Sequence, residues 1–94
     1  MLPATNDLKI LRLLESGKPM YGAQMIDEDT SLKRGSIYTV LDRLVRKKLV
    51  ETWEDRTSPP GVRGTPRRMY QATRLGLRTL RAADAAQKIL DEVE

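Results

Sequence analysis

The chain has 94 residues, a net charge of +4 and neither cysteine nor histidine. This inventory excludes a disulfide framework, Ser-His-Asp and Cys-His catalysis, and the usual zinc sites. No apolar run approaches the roughly 20 residues that span a bilayer, and the N-terminus does not resemble a signal peptide, so we expect one small cytoplasmic domain without cofactor, metal or membrane contact.

The first third of the chain predicts two helices. Thr5 or Asn6 can cap a first helix whose apolar residues recur at spacings of three and four, and Gly17-Lys18-Pro19 ends it. A second helix is expected from about Tyr21-Gly22, and it ends in the polar stretch 27–31. Its inward residues are predicted to be Ala23, Met25 and Ile26. The acidic cluster at 27–29 is interpreted as a solvated helix end rather than a metal or acid site.

A third helix is predicted over about 33–48. Its apolar residues keep helical spacing. They are Ile37, Val40, Leu41, Leu44 and Val45. The opposite face carries the polar residues Arg34, Ser36, Thr39, Asp42, Arg43, Arg46 and Lys47.

The pattern then changes from helix to hairpin. Residues 49–54 and 68–72 are predicted to be strands, and 55–67 a loop rich in proline, glycine and arginine. Trp53 and Tyr70 are expected in the core of this hairpin, and Tyr38 is expected to pack between helices rather than face a partner. Thr73 can cap a last helix that extends from Arg74 to about Glu92.

Basic charge is concentrated in the middle of the chain. Residues 30–70 carry ten Lys or Arg against four Asp or Glu, whereas residues 1–29 carry three against five. A localised basic surface indicates a polyanionic partner. A helix that follows another after a short turn fits the major groove of DNA, and its N-terminal dipole favours phosphate. The predicted contacts on the third helix are Lys33, Arg34, Ser36 and Thr39, and those on the hairpin are Arg56, Arg63, Arg67 and Arg68.

Several motifs in this order resemble a known family. The stretch 20–26 (MYGAQMI) resembles the "hGYeI" opening of the second helix in PadR-like transcriptional regulators, and 34–44 (RGSIYTVLDRL) resembles their "GtlYplLkrLe" recognition helix. Leu49-Val50 resembles the "GLI" strand start, with Lys48 where glycine is common. The segment 67–73 (RRMYQAT) with Gly76 resembles the "rkyYrlTekG" end of the wing. The resemblance extends over about 8–80.

This resemblance implies a winged helix-turn-helix that binds double-stranded DNA as a homodimer and represses a nearby promoter. It places Arg34, Ser36, Thr39 and Arg43 towards DNA, Tyr38 on the recognition helix and the wing at 55–67. It also implies that a small-molecule effector of unknown identity can bind. The expected fold is mainly α (α+β), with three helices, a two-stranded wing and a C-terminal dimerisation helix. Residues 1–73 form the predicted DNA-binding domain, and 74–94 form the helix packed on it.

The last helix carries more apolar surface than one small domain can cover. We therefore predict that it packs on its twin and on the partner's first helix in a two-fold dimer, which would place two recognition helices about 34 Å apart. The alternative is a helix folded back on its own core. The residues predicted at the dimer interface are Leu80, Ala83, Ala86, Leu90 and Val93.

Other functions stay open at this point. A winged-helix protein–protein module would have the same fold and a merely solvated basic face, and salt-insensitive binding would favour it. RNA binding is disfavoured because few exposed aromatic residues could stack on unpaired bases. An enzyme is the least favoured class, because the chain has neither histidine nor cysteine and no pair of carboxylates flanks a predictable cleft.

Overall fold

Four helices and three strands make up the residues that the computed structural model describes, which are 5–55 and 67–93, with side chains to residue 92. In chain order the elements are α1 (Thr5–Leu13), β1 (Met20–Tyr21), α2 (Gly22–Glu28), α3 (Arg34–Arg46), β2 (Val50–Asp55), β3 (Arg67–Ala72) and α4 (Arg74–Val93). The predicted order of four helices and a hairpin is confirmed. For the majority of helix and strand ends, the observed bound differs from the predicted one by no more than two residues.

The sheet has three strands, where the sequence predicted two. Its order is β1-β3-β2, and both pairings are antiparallel. Met69 of β3 lies opposite Tyr21 on one side and Trp53 on the other. A two-residue strand is too short to show a period of two, which is why the sequence pattern missed β1. Pairing on both sides makes β3 the central strand and fixes the start of α2 beside the hairpin.

The turn after α1 reverses the chain as its sequence predicts. Gly17 has a φ of +85°, a left-handed conformation that glycine adopts without steric cost. The Gly17 carbonyl oxygen accepts a hydrogen bond from Gln71 Nε2 at 2.6 Å. This bond attaches the turn to β3, so the end of α1 and the sheet are held together.

The end of α3 is a Schellman motif with a lysine in the left-handed position. Lys48 has a φ of +63°, the Lys48 N–H donates to the Val45 carbonyl, and the Leu49 N–H donates to the Leu44 carbonyl, both at 3.0 Å. Leu44 and Leu49 are both buried, as the apolar contact of this motif requires. The motif turns the chain directly from α3 into β2.

One continuous hydrophobic core joins the helices to the inner face of the sheet. Burial of each large side chain in it contributes about 1.5–3 kcal/mol. The largest fully buried apolar residues are Ile10, Leu11, Leu14, Met25, Ile37, Leu41, Leu44, Val50, Tyr70 and Leu80. The expectation for Tyr70 is confirmed. Two others are wrong: Ala23 is exposed, and Trp53 is 38% exposed because it lies on the outer face of β2.

Helix α4 is held to the rest of the fold by its first half. The Thr73 hydroxyl accepts a hydrogen bond from the Gly76 N–H at 3.0 Å, as a cap, and donates to the Lys48 carbonyl at 2.7 Å. Further along, Arg12 of α1 donates two hydrogen bonds to Asp84, at 2.5 and 2.9 Å. Arg12 also holds the pKa of the Asp84 carboxyl below its usual value.

Two predicted dimer residues belong instead to the core of the single chain. Leu80 is 1% exposed and Ala83 is 4% exposed, because the first half of α4 packs on α1 and β3. Ile89 and Leu90, in the second half, are 60% and 56% exposed. A uniform apolar pattern along α4 conceals this division, since the sequence does not show where the core ends. Ala86 is half-buried, and the Val93 side chain lies outside the described part.

Candidate nucleic-acid interface

A tight turn of polar residues joins α2 to α3. The Asp29 carboxylate accepts hydrogen bonds from the Ser31 N–H at 3.0 Å and the Ser31 hydroxyl at 2.5 Å, and these bonds lower the pKa of Asp29. The Leu32 N–H donates to the Asp29 carbonyl at 3.0 Å. Asp29 therefore serves the turn. No group of acidic residues suited to a metal ion occurs in the described ranges.

Close contact between α2 and α3 depends on Gly22. A Cβ atom at Gly22 would lie 2.6 Å from the hydroxyl oxygen of Tyr38 and 2.9 Å from the ring. The Tyr38 side chain thus lies over the first residue of α2, although it is still 47% exposed. Packing between helices was the expected role of Tyr38, and the structure shows that role together with substantial exposure.

The N-terminal half of α3 presents a polar, cationic surface. Lys33, Arg34, Ser36 and Thr39 are all exposed, and α3 has no acidic residue in its first turn. The α3 face is defined here as these four residues. The unpaired N–H groups at a helix start carry partial positive charge, which adds to that of the two cations. This surface suits a phosphate or a base edge.

Arg43 behaves differently from the residues of the α3 face. One of its Nη2 hydrogens points back to the Asp7 carboxylate of α1, and this pairing raises the pKa of Arg43 above its ordinary value. Its side chain is 41% exposed, whereas that of Asp7 is 1% exposed. The expectation of an arginine that simply faces DNA is therefore incomplete, because one edge of its guanidinium is occupied within the chain.

An open groove continues the surface along α3 beyond the α3 face. It encloses about 400 Å³, and its described lining residues are Thr39, Asp42, Arg43 and Arg46. Beneath this part of α3, burial raises the pKa of the Tyr70 phenol, and the nearby Asp42 charge adds to the effect. Arg46 was placed on the polar face by the sequence pattern but was not among the predicted contacts.

The described arginines of the hairpin both contact neighbouring side chains. Arg67 lies over the Tyr21 ring at 4.6 Å from its centroid, a cation–π contact. Arg68 pairs with Glu54 across the strands at 3.3 Å. The other two predicted hairpin contacts, Arg56 and Arg63, and the interior of the predicted wing lie outside the described residues. Where the wing begins and ends is nevertheless fixed by the pairing of Asp55 with Arg67.

Sequence reasoning missed Asp7, although a signal was present. Asp7 precedes Ile10, Leu11 and Leu14 at spacings of three, four and seven, so it lies on the apolar stripe of α1. A carboxylate on such a stripe needs a cationic partner. The identity of that partner, 36 residues away on α3, was not readable from the sequence pattern.

Comparison with protein families identifies the chain. The model of the transcriptional regulator PadR-like family matches residues 10–82, most of the chain. The chain belongs to the PadR-like family. This confirms the resemblance, and it also confirms the prediction of a transcriptional regulator rather than an enzyme. No curated protein matches the sequence significantly.

Solved structures show the same fold. A PadR-like transcription factor from Bacteroides fragilis is 25% identical, with a TM-score of 0.79 over 93% of this chain and 84% of that one. A PadR family regulator from Clostridium difficile is 24% identical, with a TM-score of 0.79 over 96% and 94% of the two chains. The PcaV regulator of Streptomyces coelicolor, solved with its natural ligand, is 20% identical, with a TM-score of 0.78 over 97% and 60%. The winged-helix architecture is thereby confirmed.

Among the described residues, no helix is long and apolar enough to cross a membrane.

Proposed function

We propose that this PadR-like regulator binds a specific double-stranded DNA site as a homodimer, in the cytoplasm, and represses transcription there. The observation that carries the proposal is the α3 face, which is exposed, cationic and free of acidic residues in its first turn. A helix with these properties fits the major groove, where arginine pairs with guanine and hydroxyl groups pair with several bases. Repression needs no further domain, because a bound dimer blocks a promoter sterically.

The wing supplies the second contact in this proposal. Arg56 and Arg63 belong to the segment between β2 and β3, outside the described residues, and we assign them the contact with the minor groove or the DNA backbone. Arg67 and Arg68, at the described base of the wing, already contact Tyr21 and Glu54. We therefore assign Arg67 and Arg68 a smaller share of phosphate binding than Arg56 and Arg63.

The second half of α4 is the proposed dimer surface. Ile89 and Leu90 are more than half exposed, and Ala86 is half-buried beside them. Exposed apolar side chains that lie together on a surface mark a site of contact with another protein when they form a contiguous patch. An isologous contact between two copies satisfies this requirement and sets two α3 helices on one side of the dimer.

Paired charge-loss variants test the role of the α3 face. Arg34→Ala should weaken binding to DNA from upstream of the protein's own gene by about 5- to 150-fold, the effect of losing one bidentate base contact. Arg78→Ala removes the same charge from the exposed surface of α4 and should change binding less than threefold, since only long-range charge is lost. Equal effects of the two variants in a fluorescence anisotropy titration would contradict the placement of α3. Absence of DNA binding by the wild type would instead favour a protein–protein module.

A further inference from the structure

Asp7 is a buried carboxylate whose charge is matched by a residue of the recognition helix. It is 1% exposed and lies on the apolar face of α1, beside Ile10 and Leu11. A charge removed from water is costly unless it is paired and hydrogen-bonded. Arg43 supplies that partner from α3 through its Nη2 group. The pair therefore couples the first helix to the helix that carries the proposed DNA contacts.

Arg43 has one edge inside the protein and another outside. Its guanidinium has five N–H donors in a fixed plane, and one of them is used by Asp7. The side chain remains 41% exposed and lines the open groove beside Thr39, Asp42 and Arg46. When one edge of the planar guanidinium is held, the N–H donors at its other edge point in a fixed direction. An arginine without such an anchor would rotate freely and attract any nearby phosphate.

We propose that Asp7 is a positioning residue for sequence discrimination. By holding one edge of the Arg43 guanidinium, it presents the remaining donors towards the groove in one orientation, so that they match a particular base edge or phosphate geometry. The inference rests on the proposed DNA binding. It assigns Asp7 no contact with DNA.

Two Asp→Asn substitutions distinguish the positioning of Arg43 by Asp7 from effects of net charge and of protein stability. Asp7→Asn removes the anchor of Arg43, and Asp84→Asn makes the same chemical change in a second interhelical Arg–Asp pair, between α4 and Arg12. Each raises the net charge by one, so binding to unrelated DNA should strengthen or stay constant in both. The ratio of affinities for upstream and unrelated DNA should fall about tenfold in Asp7→Asn only, the effect of losing one oriented contact.

A double variant shows whether Asp7 acts through Arg43. Arg43→Gln should itself lower the discrimination ratio, and adding Asp7→Asn to it should lower the ratio no further. The proposal is overturned if Asp7→Asn keeps the wild-type discrimination ratio, or if Asp84→Asn lowers this ratio as much as Asp7→Asn does. It is also overturned if the effects of Asp7→Asn and Arg43→Gln on the ratio simply add in the double variant. A wild type that binds both DNAs equally would refute the proposed function instead, before any variant is compared.

The wild type offers a test that does not depend on how well Asp7→Asn folds. Nitrogen-15 NMR reports whether the Arg43 guanidinium rotates about its Cζ–Nε bond. We expect slow rotation in the free protein and in its complex with upstream DNA, because Asp7 holds Nη2 in both. Fast rotation in the complex would show that DNA displaces Asp7, and it would overturn the positioning role.

Discussion

Gly76→Ala should destabilise the fold strongly, although alanine is the better helix former. A Cβ atom at this position would overlap the Leu49 carbonyl oxygen, and it would lie 3.0 Å from the carbonyl carbon and 3.2 Å from Leu11 Cδ2. The overlapped atom is backbone, so no side-chain rotation relieves it. The same oxygen accepts a hydrogen bond from the Thr73 N–H at 3.0 Å, at the start of α4.

The expected loss follows from these contacts. Forced overpacking costs about 1–3 kcal/mol, and weakening the Thr73 bond costs about 0.5–1.5 kcal/mol more. The higher helix propensity of alanine returns up to about 1 kcal/mol. We therefore expect Gly76→Ala to lower the free energy of unfolding by about 0.5–4.5 kcal/mol. Urea denaturation followed by circular dichroism, at fixed protein concentration, measures this value.

Gly35→Ala is the matched control for this prediction. Gly35 also lies in the first turn of a helix, but a Cβ atom there would meet nothing within 4 Å. Without overlap, only the propensity term remains, and the variant should be as stable as the wild type or more stable by up to about 1 kcal/mol. If Gly76→Ala were also neutral or stabilising, the close approach of α4 to Leu49 would be refuted.

Four further substitutions test other parts of the structure. Lys48→Gly should raise the free energy of unfolding by about 0.5–1 kcal/mol in urea denaturation, because it removes a left-handed lysine (φ +63°); a lower stability would contradict that conformation. Leu80→Asp should leave the chain unfolded by circular dichroism, because Leu80 is a core residue, whereas Leu90→Asp should give folded monomers by light scattering; a folded Leu80→Asp protein would refute the core assignment. Gly22→Ala should displace Tyr38 and weaken binding to upstream DNA with little change in unfolding, and unchanged binding would show that this contact does not set the α2–α3 geometry.

Sequence periodicity predicted the elements whose apolar residues repeat over several turns. The stripes of α1 and α3 gave the core leucines and isoleucines, and Thr73 and Gly17 marked ends that the structure confirms. Sequence periodicity did not predict very short elements, or which face of a strand a large apolar side chain lies on. β1 has two residues, which are too few to show a pattern. Trp53 is a large apolar residue of the kind found in cores, but it lies on the outer face of its strand.

The sequence pattern does not show which residues of distant segments contact each other. The polar face of α3 was predicted correctly as a set, yet which of its members are free depends on partners elsewhere in the chain. Arg43 is paired with Asp7, which is 36 residues away. On α4, Leu80 is buried and Leu90 is exposed, and the boundary between them depends on where the helix meets the rest of the fold.

Binding of the wild type to upstream DNA and to a scrambled duplex, at several salt concentrations, tests the central claim most directly. Phosphate contacts release counterions, so specific binding should weaken steeply and linearly on a log–log plot of affinity against salt. We predict a preference for upstream DNA of at least about a thousandfold at physiological salt, as for specific DNA-binding proteins in general. Equal affinity for both duplexes, or affinity that does not depend on salt, would contradict a sequence-specific regulator that reads DNA through α3.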